Sequence, residues 1–240
     1  MHRFAPIVPL LALVLALPSA AQDEAVERYF LGDEGGGKLG VVVVTQPDGA
    51  TEQTFAVKIE GELQFVGAMD TPAADGGFSG LPLTMRMKGF GELIVVNGFE
   101  EAGELHVKVS PEGQPTEERT FPASERLVLG FSAMAHAAAL PFEEGAELEF
   151  DYLSVKMEFD AGTRLVYTGT GEVDGTACHV VEQRTGAGTV EDTYYLDDEH
   201  RILRMEHMGG RSSMRQVSRD DFESLLPSVA ELRDRIGAGE

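Results

Sequence analysis

The residue types best suited to binding a metal lie close together near the C-terminus, namely His200, Met205, His207, Met208 and Met214. Imidazole nitrogen and thioether sulfur suit a soft ion such as Cu(I). Met205 and His207 are two residues apart, so both would project from the same face of a strand. Leu203 shares that parity. A row of core residues with His207 at its solvent-exposed end explains the spacing more simply than a metal site does. We therefore predict no metal site and no cofactor.

Catalytic groupings of the hydrolase type are weak in this sequence. Segments 77–81 and 130–134 begin like the G-x-S-x-G nucleophile elbow but lack its last glycine. Glu147, Glu149 and Asp151 alternate with apolar neighbours, which is typical of the solvated face of a strand rather than of paired catalytic carboxylates. The sequence therefore predicts a protein that is not an enzyme, and a hydrolase is the last of the alternatives.

Methionine and phenylalanine side chains offer a different kind of site. Unbranched thioethers can line a cavity that accepts ligands of varied shape, although they also fill gaps in ordinary cores. If a curved sheet does not close fully on a helix, an apolar groove remains between them. The residues predicted to line this groove are Met85, Met87, Phe131, Met134, Phe150 and Leu203.

Alternation of apolar and polar residues is the dominant pattern along the chain, and it predicts strands with one buried face. In 54–65, 81–88 and 104–109 the apolar residues fall on odd positions. Short connections imply antiparallel neighbours, so the sequence predicts about ten to twelve strands in a meander. The predicted reversals are Pro47-Asp48-Gly49, Asn97-Gly98, Asp174-Gly175 and Asp197-Asp198-Glu199-His200.

Three segments depart from this alternation. Within 148–159 the apolar parity flips at Tyr152 and Leu153, which predicts a β-bulge or a sharp bend. Residues 127–140 have helical spacing and are apolar on nearly every side, so we predict a helix enclosed by the concave face of the sheet. The tail 218–240 begins with an N-capping pattern and predicts short helices that cover a sheet edge or an open end.

These elements define the predicted fold class, which is mainly β (α+β). A strongly curved antiparallel meander sheet, or half-barrel, wraps one central helix near 127–140 and is followed by a short helical tail. No stretch of the chain has the composition of an interdomain linker, so residues 22–217 are expected to form a single domain.

The first 21 residues have the layout of a cleaved export signal. Arg3 gives the basic start, 7–17 the apolar run and 19–21 the small-residue cleavage site. That run is too short to serve as a transmembrane anchor. The mature protein is predicted to begin near Gln22 and to be exported, either to the periplasm or out of the cell. Cys178 is the only cysteine and is expected to be a buried structural thiol.

The charge balance is strongly acidic. The chain has 41 acidic and 19 basic residues and a formal net charge of −22. Such a surface repels phosphates and anionic lipid headgroups, so no nucleic-acid partner is predicted. A solubilising role is the simplest interpretation of this charge.

The order of the elements resembles that of known exported proteins. The resemblance is carried by Leu140-Pro141-Phe142-Glu143-Glu144-Gly145 after the helix and by the hairpin segments 175–181, 194–198 and 201–206. In layout the chain is similar to uncharacterised exported bacterial β-rich families and to LolA-like periplasmic lipoprotein carriers. The resemblance implies a half-barrel sheet that wraps a helix and holds acyl chains. It assigns no ligand contact residue by residue.

The sequence is compatible with three functions. The leading hypothesis is an exported, non-enzymatic binding or carrier module for a hydrophobic small molecule or lipid-like ligand. The alternative is an envelope scaffold or assembly protein with a packed core and an envelope protein as partner, and the last is the hydrolase. Because Met134 would face the groove, the sequence predicts that Met134→Asp removes ligand uptake without unfolding the protein.

Overall fold

The computed structural model describes residues 24–34, 37–74, 78–89, 92–207 and 212–237. The predicted signal segment lies outside these residues. Within them, fifteen strands form one sheet. The first eight are β1 (Val26–Glu34), β2 (Gly37–Thr45), β3 (Thr51–Ile59), β4 (Glu62–Thr71), β5 (Leu83–Gly89), β6 (Glu92–Glu101), β7 (Glu104–Pro111) and β8 (Glu117–Pro122).

The C-terminal half adds seven strands and three short α-helices. The strands are β9 (Leu127–Leu129), β10 (Glu147–Leu153), β11 (Phe159–Val173), β12 (Thr176–Arg184), β13 (Val190–Leu196), β14 (Ile202–His207) and β15 (Ser212–Val217). The helices are α1 (Ala133–Ala139), α2 (Arg219–Leu225) and α3 (Val229–Asp234). None of the helices in the described part of the chain is long and apolar enough to cross a membrane.

The sheet consists of two meanders joined side by side. Its strand order is β8-β7-β6-β5-β4-β3-β2-β1-β15-β14-β13-β12-β11-β10-β9. Neighbouring strands are antiparallel except β9 and β10, which are parallel. Because β1 pairs with β15, the first and last of the described strands lie in the middle of the sheet.

The two edges of the sheet lie close together. β8 and β9 stand at opposite ends of the strand order, yet residues 123–126 alone connect them, which allows at most about 18 Å of chain. Phe121 of β8 stacks on Phe159 at the start of β11, with ring centroids 5.2 Å apart, so the two ends of the strand order are in contact. The prediction of a mainly β fold with a large curved sheet is therefore confirmed, and the sheet is open because β8 and β9 form no ladder in the described residues.

Two hydrophobic clusters cover opposite faces of the sheet. Phe55 and Met69 belong to the larger cluster, which includes buried residues of α1, and we call this the α1 face. Their chain neighbours Ala56 and Ala68 belong to the smaller cluster, which includes buried residues of α2 and α3, and we call this the tail face. Burial on both sides explains the unbroken valine run at 41–44, where simple alternation would require polar residues.

The predicted helix over 127–140 is wrong in its extent. Residues 127–129 are strand β9, and 130–132 form a 3₁₀ turn before α1 begins at Ala133. β9 forms backbone hydrogen bonds with β10, and these bonds would be lost if a helix began at Leu127. Gly130 then adopts φ +51°, a left-handed conformation that interrupts a helix. The helix is thus only seven residues long, and the other two α-helices, α2 and α3, lie in the C-terminal tail, where short helices were predicted.

One predicted reversal and one predicted irregularity also differ from the structure. Asn97-Gly98 lies inside β6 and makes no turn. Residues 154–158 form a full reversal between β10 and β11, next to Tyr152 and Leu153, where a β-bulge or a sharp bend was predicted. The predicted bulge itself lies one residue earlier, since the ladder register shifts between Phe150 and Tyr152.

The C-terminal helices pack on the middle of the sheet rather than on an edge or open end. Ser218 caps α2 by accepting from the Asp221 backbone N–H, as the capping pattern predicts. Phe222 and Leu226 pack into the tail-face cluster beside β1 and β2. Gly40 makes this close approach possible, because a Cβ there would lie within 2.8 Å of the Phe222 ring. The tail covers this face because both sides of β1–β4 are apolar.

Candidate functional site

The predicted groove residues lie mainly in the packed core of the α1 face. Met85, Met134 and Phe150 are buried, and Met87 and Phe131 are partly buried against the same cluster. The structure therefore brings five of the six predicted residues together. They contact other core side chains, and none of these five lines a cavity described below.

Leu203, the sixth residue, lies elsewhere. It lines a cavity of about 550 Å³ together with Leu31, Val217 and residues of α2. The ladder register between β13 and β14 shifts next to Leu203, so the simple parity argument fails there. The charges of Arg201 and Arg215 in this cavity are offset by those of Asp197 and Asp221, and polar and apolar groups contribute about equally to its walls.

A cavity of about 400 Å³ lies at the C-terminal end of α1. Its walls are the last turn of the helix, the loop 141–146 and the first two residues of β10. Apolar groups predominate in these walls and come from Ala139, Leu140, Pro141, Ala146 and Leu148. We call this space the α1 cavity, and its size falls at the lower end of the range for small-molecule pockets.

His136 is the polar group deepest in the wall of the α1 cavity. It is 9 % exposed and stacks between Phe78 and Phe150, with ring centroids 5.3 and 6.2 Å away. Burial lowers the pKa of His136 to about 4, so the imidazole is neutral at neutral pH. No hydrogen bond joins its nitrogens to another residue in the part of the chain that the structure describes. A neutral imidazole next to a cavity can accept one hydrogen bond and donate another.

Three glutamates form the rim of the α1 cavity. Glu143, Glu144 and Glu147 are exposed and line its opening. Among the described residues, none of the three takes part in an ion pair with a lysine, an arginine or a histidine. The opening therefore carries a local excess of negative charge.

Phe142 fixes the loop that forms one wall of the cavity. Its ring lies between the imidazoles of His179 and His200, with centroid distances of 3.8 and 4.0 Å and nearly parallel planes. His179 in turn bonds Tyr167 through Nδ1 at 3.1 Å and Asp198 through Nε2 at 3.0 Å. Since Phe142 points away from the cavity while its neighbours line it, this stack sets the position of the wall.

The histidines and methionines near the C-terminus do not converge on one point. Met205 and Met214 pair across β14 and β15 in the core, while His200 stacks on Phe142. His207 Nδ1 lies 2.7 Å from Oδ1 of the buried Asp192. Met208 lies outside the described residues. Within those residues, no group of three or more histidine, cysteine, aspartate or glutamate side chains is arranged to hold a metal ion.

The His207–Asp192 pair predicts a pH-dependent contribution to stability. Its hydrogen bond raises the pKa of His207 above the ordinary 6.5, so the stabilisation is complete below pH 6.5 and is lost as the pH rises through the higher folded-state pKa. We expect His207→Gln, which is neutral throughout, to cost about 1 kcal/mol more at pH 5.5 than at pH 9, a modest value because water partly screens the pair. Urea unfolding of both proteins at the two pH values measures this, and an equal cost at both would contradict it.

The candidate nucleophiles Ser79, Ser132 and Cys178 have structural surroundings instead. Ser79 Oγ accepts from the Leu129 backbone N–H at 3.2 Å, and Ser132 Oγ accepts from Gln53 Nε2 at 2.8 Å. Cys178 is buried, and burial raises the pKa of its thiol, which disfavours the reactive thiolate.

His136 was not predicted as a site residue from the sequence. The available signal was a lone histidine inside the apolar run Ala133–Ala139, followed by glutamates at 143, 144 and 147. That pattern becomes informative only when the chain reversal at 141–146 brings the glutamates beside the helix end. Comparison of the chain with protein-family models, curated proteins and solved structures finds no match.

Proposed function

We propose that this protein is a non-enzymatic binding or carrier module that holds one small hydrophobic molecule in the α1 cavity. The observation that carries the proposal is the cavity itself, whose walls are mainly apolar and which contains one neutral, hydrogen-bond-capable imidazole. Apolar walls with a few placed polar groups are typical of small-molecule sites. A volume of about 400 Å³ suits a single alkyl chain or a compact apolar ring system.

The proposal includes a sheet that curves around α1. Ala133, Met134 and Ala137 share one hydrophobic cluster with side chains from strands of both meanders, which supports an enclosed helix. Export, suggested by residues 1–21, and a carrier role of the LolA-like kind belong to the same proposal. They rest on the sequence pattern and on the position of the cavity beside the helix.

Blocking the cavity tests this function. Ala139 is exposed and lines the cavity, so Ala139→Phe places a ring in the opening without entering the core. We expect the purified protein to bind 1-decanol, and we expect the variant to lose at least about tenfold in affinity, which corresponds to about 1.4 kcal/mol. Isothermal titration calorimetry below the solubility limit of the alcohol measures both proteins.

Ala187→Phe provides the matched control. Ala187 is exposed in the turn between β12 and β13 and lies outside the cavity. This variant should bind 1-decanol like the wild type. If the wild type binds no alcohol, or if Ala139→Phe binds it equally well, the proposed site is wrong.

A scaffold with a packed core is the second candidate function. The observation in its favour is that five of the six predicted groove residues pack in the core of the α1 face. It predicts no ligand in the α1 cavity, and so the same titration distinguishes the two functions.

A further inference from the structure

The α1 cavity has two polar features that bear on the chemistry of its ligand. One is the set of rim carboxylates Glu143, Glu144 and Glu147, which have no cationic partner among the described residues. The other is the imidazole of His136, which is more than nine-tenths buried and makes no hydrogen bond to a described residue. The two features lie at one cavity and come from different parts of the chain, the helix and the loop.

The rim disfavours an anionic headgroup. A carboxylate that entered past three uncompensated glutamates would meet like charges at close range, and such contacts cost more near a low-dielectric protein wall than in bulk water. A cation at the same place would be attracted by all three carboxylates. The rim charges therefore discriminate between ligands of the same length by the sign of their head group.

The buried imidazole adds a requirement for a hydrogen-bond donor or acceptor. Its nitrogens have no hydrogen-bond partner among the described residues, yet neither is fully shielded from solvent, so a ligand in the cavity can reach them. Its low pKa keeps one nitrogen free as an acceptor at neutral pH. An ammonium group has three N–H donors and no acceptor, so it can bond this nitrogen and the rim carboxylates together.

We propose that the α1 cavity selects a cationic amphiphile, namely a primary alkylammonium whose chain packs against Ala139, Leu140 and Leu148 and whose head group meets His136 and the rim glutamates. This inference rests on the proposed function, since it assigns the ligand class of the same cavity. The acidic rim is then part of the recognition site, in addition to any solubilising role of the acidic surface.

A series of ten-carbon ligands tests the head-group selectivity. Decylamine, 1-decanol and decanoate are titrated into the protein at pH 7.5 and about 20 mM salt, each below its aggregation limit. We expect decylamine to bind at least about tenfold more tightly than decanoate, with 1-decanol between them. Raising the salt to about 0.5 M should reduce the preference for the amine, because the exposed rim charges are screened.

Charge-neutral variants locate the effect. The triple variant Glu143→Gln, Glu144→Gln and Glu147→Gln should lower decylamine affinity about fivefold to tenfold and raise decanoate affinity. The control Glu100→Gln, Glu101→Gln and Glu112→Gln changes the net charge by the same amount away from the cavity, and it should leave both affinities unchanged. Equal losses in the two triple variants would show adsorption to the acidic surface and would overturn the proposal.

Decyltrimethylammonium isolates the part played by His136, because it carries the same charge without an N–H donor. The wild type should bind decylamine more tightly than decyltrimethylammonium. In His136→Phe, which keeps an aromatic ring in the stack, this difference should disappear. If it is unchanged, the imidazole does not contact the head group.

The outcomes separate this inference from the proposed function. Failure of every ten-carbon ligand to bind removes the proposed function and this inference together. Binding of 1-decanol equal to that of decylamine, with no change in the rim variant, removes only the cationic selectivity. Decylamine binding that persists in Ala139→Phe also overturns the inference, since the amine would then be bound outside the cavity.

Discussion

Met134→Asp is expected to unfold the protein or to reduce its stability by about 4–5 kcal/mol. Met134 is 2 % exposed and belongs to the cluster that α1 shares with the sheet. A carboxylate at this position would be buried without a charged partner, and an uncompensated buried charge is among the most destabilising single changes known. Since a whole domain is stable by only about 5–15 kcal/mol, much of that margin would be lost. Urea unfolding followed by circular dichroism measures the change.

Met134→Leu is the matched control. It keeps the volume and apolar character of the side chain, so a cost below about 1.5 kcal/mol is expected. If Met134→Asp unfolded at nearly the same urea concentration as the wild type, α1 would not be packed against the sheet. The structure therefore predicts the opposite of the sequence-based expectation that this variant keeps its fold. Binding is tested with Ala139→Phe, because Ala139 lies outside the core.

The strands were predictable because their pattern depends on local chemistry. Alternating residues such as Phe55 and Lys58 report which side of a strand is buried, and the turns at 47–49, 174–175 and 197–200 follow from residues that tolerate tight reversals. The strand count was too low for two reasons. Burial on both faces hides the alternation in β1 and β2, and a three-residue strand such as β9 gives no periodic signal.

The exchange of helix for strand at residues 127–129 has a tertiary cause. Leu127, Val128 and Leu129 are compatible with either structure, and an apolar run this short has no distinguishing period. Pairing with β10 favours the strand over the helix, because β10 offers a free edge for backbone hydrogen bonds. Because 17 residues, α1 among them, separate β9 from β10, the local sequence does not reveal that partner.

The candidate site was only partly predictable for the same reason. An apolar space beside the helix was predicted, and the α1 cavity adjoins that helix. The residues predicted to line the space were large and inward-facing. Large inward-facing side chains such as Met85 and Phe150 instead fill the core, whereas small residues such as Ala139 and Ala146 leave room at the helix end. A cavity is thus better sought where small apolar residues meet an irregular loop.

Gln53→Leu is expected to lower the free energy of unfolding by about 2–6 kcal/mol and to loosen the start of α1. Gln53 is fully buried on the α1 face of β3. Its Oε1 accepts from the Phe131 backbone N–H at 2.8 Å, and its Nε2 donates to the Leu129 carbonyl at 3.1 Å. Leucine has a similar volume but leaves both backbone groups buried without partners, at a cost of about 1–3 kcal/mol each.

Gln53 also explains how the change from strand to helix at Gly130 is tolerated inside the core. The 3₁₀ turn cannot supply hydrogen bonds to its own flanking groups, so a side chain from the sheet supplies them. Hydrogen exchange should show this directly, with faster exchange over 129–139 in Gln53→Leu than in the wild type. Gln114→Leu, at an exposed turn, should change stability by less than about 0.5 kcal/mol. If Gln53→Leu were equally mild, the sheet would not be what holds α1, and the cavity at the other end of the helix would lose its fixed wall.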